Sequence, residues 1–373
     1  MAYELEEAKK LVVAAGKKLV ESGLIARTWG NVSARISDTQ FVITPSGRAY
    51  ETLTPEEVVV VNIEDCSYEG EIKPSSEKGV HAAAYRHHPT VDFVIHTHQK
   101  AATIVSITGM EIRNVYKEFQ PVLGNKVPCA DYAMSTTNSL RKKVETCIMM
   151  NPGCRAIMLM HHGTLCMGDT YEQAFEIADA LEKCCQRVIK DNYLRHSWAE
   201  TYSDEGKRNF YLKKNGAVAM PERICDLGSS VRNGKTFSLT VGGETIDVDL
   251  ETGLGITGIA PKCAKIHKAI YDSQDCSIIK HVTDPDVIAV SCTGEDMIPM
   301  IDDFAQIAGV DVKNRPWIDG DTDACAKDIA KAMDSRNAIL IQGNGAIITG
   351  NSDGDMQAVS YTHLRAHETL SDL

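Results

Sequence analysis

A chain that repeats itself at long range must fold as copies of one unit, and this sequence does so. His81-Ala-Ala-Ala-Tyr85 has a counterpart in His267-Lys-Ala-Ile-Tyr271, and Val105-Ser-Ile-Thr-Gly109 has one in Val290-Ser-Cys-Thr-Gly294. Ala156-Ile-Met-Leu-Met-His-His-Gly163 is matched by Ala338-Ile-Leu-Ile-Gln-Gly-Asn-Gly345. One such pair would be chance; three in the same order at nearly the same spacing argue for a duplicated domain. The 373 residues leave room for two domains of ordinary size. Lys-Lys-Asn-Gly and the lone Pro221 mark a linker near Asn215 to Arg223. A first domain over residues 1–215 and a second over 222–359 are expected. From about Ser360 the text SYTHLRAHETLSDL breaks the repeat where a long helix should begin, and it reads as a non-native tail. The second copy is therefore expected to lack its last helix, and His363 and His367 are set aside as ligands.

The first copy reads as mixed helices and strands. Leu5, Ala8, Leu11, Val12, Ala15, Leu19 and Val20 recur at helical spacing over residues 4–22, with Gly23 as a stop. Short strand-like runs follow at Asn31–Ile36, Phe41–Thr44 and Val58–Asn62, then a helix at Lys78–Tyr85. Phe93–Thr97 and Ala156–Met160 are apolar strands. A long helix begins at Thr170 with Gln173 as the fourth residue of a capping box and runs to about Asp191. This order predicts an α/β fold, a central sheet flanked by helices, present twice.

The formal net charge is -12, so a broad surface for nucleic acid or an anionic membrane is not expected, and a phosphorylated substrate would need a local site. No apolar run is long enough to span a bilayer, and Glu4 and Glu6 interrupt any signal-like start. The 12 cysteines are scattered, with one adjacent pair at Cys184 and Cys185 and no Cys-x-x-Cys. They read as small core hydrophobes in a reducing cytoplasm.

The chemistry concentrates in three places. In Ile95-His96-Thr97-His98 the two imidazoles are two apart on a strand and share a face, where they can hold one metal ion. His162 precedes Gly163 at the end of a buried strand; with it the set becomes three histidines with a fourth position open, the pattern of a catalytic zinc site. His161 competes for the third place, and His162 is preferred because Asn344 replaces it in the repeat. Glu77, in Pro74-Ser75-Ser76-Glu77, stands before a helix; near a metal it can act as general base or as a displaceable ligand. Ser75 and Ser76 offer hydroxyls and free backbone N–H groups to a phosphate, besides capping the helix. Gly30-Asn31 and Thr44-Pro45-Ser46-Gly47 are common turn sequences that gain weight only beside the others.

Asn31, TPSG at 44–47, PSSE at 74–77, HTH at 96–98 and HHG at 161–163 together resemble the class II aldolase and adducin-head family, over roughly residues 5–200. In motif the segment most resembles L-fuculose-1-phosphate aldolases. The resemblance implies zinc on His96, His98 and His162, with other divalent transition metals accepted by imidazole. It implies phosphate held by Gly30, Asn31, Ser46, Gly47, Ser75 and Ser76, with Glu77 as acid/base, in a homo-oligomer of C4 form. Epimerases of the family tend to carry Asp at the Glu77 position, so Glu favours cleavage of a phosphorylated ketose to dihydroxyacetone phosphate and an aldehyde. A pentulose-phosphate 4-epimerase, a methylthioribulose-phosphate dehydratase-like lyase and a non-catalytic adducin-like module are the rivals. The family's proton-donating tyrosine has Lys117 in its place, with Tyr116 adjacent, and its C-terminal tyrosine has only Tyr202 and Tyr211 nearby. In the second copy Cys263 aligns with Glu77, Val282 with His96, Asp284 with His98 and Asn344 with His162, so that copy is expected to be degenerate and without metal ligands.

Overall fold

The computed structural model describes residues 2–22, 24, 30–217, 219–334, 336–352 and 356. The chain divides into two compact units, residues 1–192 and 193–372. The non-native tail expected from Ser360 and the missing last helix of the second copy both lie outside the described residues.

The first unit runs α1 (Leu5–Glu21), β1 (Asn31–Arg35), β2 (Gln40–Ile43), β3 (Val59–Asn62), α2 (Lys78–His87), β4 (Phe93–Thr97), α3 (Lys100–Ser106) and β5 (Ile112–Arg113). It continues with α4 (Gln120–Leu123), β6 (Lys126–Val127), β7 (Cys129–Ala130), α5 (Asn138–Met150), β8 (Ala156–Leu159), β9 (Gly163–Gly168) and α6 (Tyr171–Ser197), which passes the division at Asn192. Seven strands form one sheet in the order β3-β2-β1-β4-β9-β8-β7, and β5 pairs with β6 in a separate ribbon. All pairings in the sheet are antiparallel except β7 with β8.

The elements follow the apolar pattern. Ala8, Val12, Ala15 and Leu19 give α1 one buried face, as helical spacing requires. The run Phe93–Thr97 is buried at every position because β4 is the middle strand, flanked by β1 and β9, and both its faces are covered: Val94 lies in the core that α2 caps and Phe93 packs on Tyr171 at 5.3 Å. Phe41 and Tyr85 are buried in tilted contact, ring centroids 5.2 Å apart, at the centre of the core between sheet and α2. Burial of each such side chain stabilises by about 1.5–3 kcal/mol. At α6 the expected box is shifted: Thr170 Oγ1 accepts the Gln173 N–H at 3.2 Å, while Gln173 Oε1 accepts from Asp169 N at 2.6 Å rather than from Thr170. The helix extends to Ser197, beyond the expected Asp191.

The second unit repeats this plan. After α7 (Asp204–Lys214) come β10 (Ser229–Asn233), β11 (Thr236–Val241), β12 (Glu244–Asp249), α8 (Ala264–Ser273), β13 (Ile278–Val282), α9 (Pro285–Ser291) and α10 (Asp302–Ala308). Then follow β14 (Asn314–Arg315), α11 (Thr322–Met333), β15 (Ala338–Ile341) and β16 (Ala346–Gly350). Its sheet has the order β12-β11-β10-β13-β16-β15-β14, with the single parallel pair again at one end. Phe237 and Tyr271 reproduce the Phe41–Tyr85 contact at 5.4 Å. The fold is thus α/β and present twice. No helix among the described residues is long and apolar enough to cross a membrane.

Candidate metal centre

The register of β4 places the first ligands. His96 lies opposite Asn31 on β1 and opposite Leu165 on β9, while His98 stands one residue past the strand end. His162 is not at a strand end, as the sequence suggests. The strand stops at Leu159, and His162 sits in a three-residue hairpin turn closed by its N–H on the Leu159 carbonyl at 3.0 Å. His161 takes a left-handed conformation there, φ 61°, and its ring meets Tyr132 edge-on at 5.6 Å. That reversal turns His162 toward the other two rings. The centroids are 4.7 Å (His96–His98), 5.0 Å (His96–His162) and 4.7 Å (His98–His162), and the ligand atoms of all three lie within 4.8 Å of one another. Gly163 is required by this approach: a Cβ would fall 2.4 Å from the Thr97 carbonyl oxygen.

Glu77 completes the cluster from the N-terminal end of α2. Its Oε2 lies 3.0 Å from His96 Nε2 and its Oε1 3.0 Å from His162 Nε2, with the side chain 9% exposed. Burial alone would raise its carboxyl; positive charge at the His96 and His162 imidazoles is what outweighs burial and holds it well below the usual carboxylate range. Burial holds the His96 imidazole below its usual value, against the pull of Glu77.

The donor set fits a divalent cation. The His96 Nδ1–H donates to the Thr164 carbonyl at 2.8 Å, so the proton of the neutral ring sits there. His96 Nε2 then turns its lone pair toward Glu77 Oε2, and His98 Nε2 lies 2.9 Å away. Lone pairs crowded against a buried carboxylate are unfavourable unless a cation shares them. A backbone carbonyl that fixes the tautomer of a ligating imidazole is the usual outer support of such a site.

The two serine loops are joined. Ser75 N–H donates to the Thr44 carbonyl at 3.0 Å, Ser46 N–H to the Lys73 carbonyl at 2.9 Å, and Pro45 pairs with Pro74 as an isolated bridge. Ser46, Gly47 and Ser76 are exposed, and Gly47 has φ 70°. Ser75 is buried and its hydroxyl accepts the Glu77 N–H at 3.2 Å, so it caps the α2 entry. Gly30, φ 100°, is tied by the Tyr50 hydroxyl, which donates to its carbonyl at 2.6 Å. The Asn31 Nδ2 donates to Glu77 Oε2, at the end of the second loop, at 3.2 Å. The Tyr116 hydroxyl donates to Asp191 Oδ2 at 2.7 Å.

The second unit corrects two alignments, since one register shift puts His281 in the place of His96 and Thr283, not Asp284, in the place of His98. Its register puts His281, not Val282, opposite the β10 entry where Asn31 faces His96: the His281 N–H donates to the Gly228 carbonyl at 3.1 Å. Sheet pairing outranks the one-residue slip that the sequence match allows. The ring is spent on backbone: Nδ1 accepts from Leu227 N at 3.2 Å and Nε2 donates to the Asn344 carbonyl at 2.7 Å. Asn344 holds both backbone groups of Cys225, accepting its N–H at 2.7 Å and donating to its carbonyl at 2.9 Å. Cys263 stands at the N-terminal end of α8, as Glu77 does at α2.

Sequence reasoning missed a buried triad. Ser33 Oγ lies 2.6 Å from His81 Nδ1 and 2.7 Å from the Tyr85 hydroxyl; Ser230, His267 and Tyr271 repeat it at 2.7 and 2.8 Å. The signal was the His-x-x-x-Tyr shared by both copies, which served only to mark the repeat.

The sequence model of the class II aldolase and adducin N-terminal domain matches residues 10–189 and again 234–370. The chain belongs to that family. A 5-deoxy-D-ribulose 1-phosphate aldolase of Bacillus thuringiensis is 33% identical over 183 residues, covering 49% of this chain and 84% of that protein. An L-fuculose phosphate aldolase of Escherichia coli is 33% identical over 172 residues, 46% of this chain and 78% of that protein. An L-ribulose-5-phosphate 4-epimerase of Salmonella paratyphi B is 30% identical over 191 residues, 48% of this chain and 82% of that protein. A solved L-fuculose 1-phosphate aldolase is 29% identical with a TM-score of 0.47, covering 53% of this chain and 92% of that one.

Proposed function

We propose that the first unit is a divalent-metal-dependent aldehyde-lyase that cleaves a phosphorylated ketose to dihydroxyacetone phosphate and an aldehyde. The observation that carries this reading is the convergence of His96, His98 and His162 on one point beside the Glu77 carboxylate. Those three imidazoles would hold the ion, zinc in the first instance, with manganese, iron or cobalt compatible with the same ligands. When bound, the ion supplies Lewis acidity toward the ketose oxygens, so no Schiff-base lysine is needed. In cleavage Glu77, ionised at neutral pH, takes the proton of the hydroxyl beside the breaking C–C bond and returns it to the carbon that leaves in dihydroxyacetone phosphate. The joined loops at Ser46–Gly47 and Ser75–Ser76, with Gly30 and Asn31 behind them, hold the substrate phosphate and fix its orientation. The relatives named as aldolases of sugar 1-phosphates support the reaction class.

In this reading residues 1–215 are the catalytic domain and 222–359 a degenerate copy. On the same reading the protein works as a homo-oligomer in the cytoplasm. The test is a metal assay followed by a panel of phosphorylated ketoses, reading dihydroxyacetone phosphate release. About one metal per chain and release from one ketose, both lost in His162→Ala, are expected. A 4-epimer without release refutes the lyase reading, and a metal-free protein refutes the enzyme.

A further inference from the structure

One chain of hydrogen bonds runs from the core of the first unit to Glu77, and its donors can be assigned in only one direction. The Glu77 carboxylate accepts, so the group of Asn31 facing Oε2 at 3.2 Å is its NH2. Asn31 Oδ1 then faces His81 Nε2, which must carry the ring proton. His81 Nδ1 is left as an acceptor for the Ser33 hydroxyl, and Ser33 in turn accepts from the Tyr85 hydroxyl. The second unit fixes the same tautomer independently. There His267 Nε2 bonds a backbone carbonyl, that of Leu227, at 2.7 Å, and a carbonyl cannot donate. The Ser-His-Tyr triad is common to both units, so it belongs to the fold. The amide placed between that triad and a carboxylate occurs in the first unit alone, since Gly228 faces His281 where Asn31 faces His96.

We propose that Asn31 and His81 are positioning residues for Glu77: His81 locks the Asn31 amide, and the amide pins Oε2 so that the carboxylate stays between His96 and His162. This rests on the metal-dependent reading above. Asn31 then acts on the carboxylate in addition to its part in phosphate binding. His81 is 0% exposed and touches no substrate space, so its influence passes through Asn31.

The test measures zinc affinity by competition with a chromogenic chelator, together with kcat and KM on whichever ketose the panel identifies. Variants are Asn31→Leu, His81→Phe, the pair combined, His81→Gln and, as control, His267→Phe. Loss of outer support of this kind weakens metal binding roughly 10–100-fold. Asn31→Leu and His81→Phe are each expected to fall in that range and to lower kcat; His81→Phe leaves KM nearly unchanged, whereas Asn31→Leu also raises KM through its part in the phosphate site. The double variant is expected to lose no more than the worse single, because both break one chain. His81→Gln, which keeps a donor toward Asn31 and an acceptor toward Ser33, is expected to restore wild-type affinity. His267→Phe is expected to lower thermal stability and leave zinc affinity intact.

The proposal is overturned if folded Asn31→Leu binds zinc as the wild type does, if it raises KM alone, or if His267→Phe weakens zinc equally. Should His81→Phe fail to fold, Asn31→Leu and His81→Gln decide. A wild-type protein that binds no divalent ion overturns the proposed function as well. Normal wild-type binding with an unaffected Asn31→Leu overturns the positioning role alone.

Discussion

Replacing Gly163 by alanine should damage the metal centre without altering a ligand. An added Cβ would lie 2.4 Å from the Thr97 carbonyl oxygen, 3.1 Å from His98 Cδ2 and 3.4 Å from His96 Cε1. An ordinary C···O contact needs about 3.3 Å, so β4 and the hairpin must part by roughly 0.9 Å. The obstructing atom is backbone and cannot rotate away. Thr97 lies between His96 and His98, so its retreat carries both imidazoles with it. Overpacking of this kind costs about 1–3 kcal/mol. For a unit of this size that is a fall of roughly 2–12 °C in melting temperature, at about 2–4 °C per kcal/mol. If the strain falls on the liganded state, zinc binding weakens roughly 5–150-fold. Calorimetric melting with and without zinc, alongside chelator competition, measures both. Gly345→Ala is the paired control: its Cβ would meet the Val282 carbonyl oxygen at 2.1 Å, at φ 86°, so stability should fall while zinc affinity holds. A Gly163→Ala protein that melts and binds zinc like the wild type would refute the claim that strand spacing sets the ligand geometry.

Burial pushes the His267 imidazole down to about 4, below the ordinary value of about 6.5 in the unfolded chain. The unfolded state therefore binds the extra proton first, and the contribution is complete above about pH 6.5 and lost as pH falls toward 4, at about 1.4 kcal/mol per unit. Urea melts between pH 7 and 5 should show a shallower loss in His267→Gln. His281→Ala should leave the metal content at about one per chain, since both nitrogens of that ring are engaged by backbone; a loss of metal in elemental analysis would contradict this. Chelation should lower the melting temperature, by about 2.7 kcal/mol of stability where free zinc had stood at 100 times its Kd. No response to chelator in a scanning melt would count against the His96–His98–His162 site.

The fold was readable from the sequence wherever apolar period and repeat agreed. The His81–Tyr85 helix, the Phe93–Thr97 strand and the duplication all follow from spacing that one chain cannot satisfy by accident. What was hidden depended on register. The match of Val282 to His96 fails by one residue because sequence similarity does not feel the β10–β13 pairing, whereas a one-residue slip would turn every side chain of the strand to the other face. The hairpin that aims His162 was likewise invisible, since it depends on a left-handed His161, a conformation that histidine tolerates but does not announce. The partnership of Asn31 with Glu77 joins residues 46 positions apart and has no local signature.

In the second unit the strand-entry segment at Cys225–Leu227 is bonded by Asn344 and His281, which stand in the places of His162 and His96. Restoring a metal there would take more than exchanging Cys263, Thr283 and Asn344 for carboxylate and imidazole. Removing Asn344 would first strip two backbone partners from Cys225. The Asn344 and His281 side chains thus brace the second unit's own main chain, and exchanging Asn344 for a ligand would cost the protein those bonds.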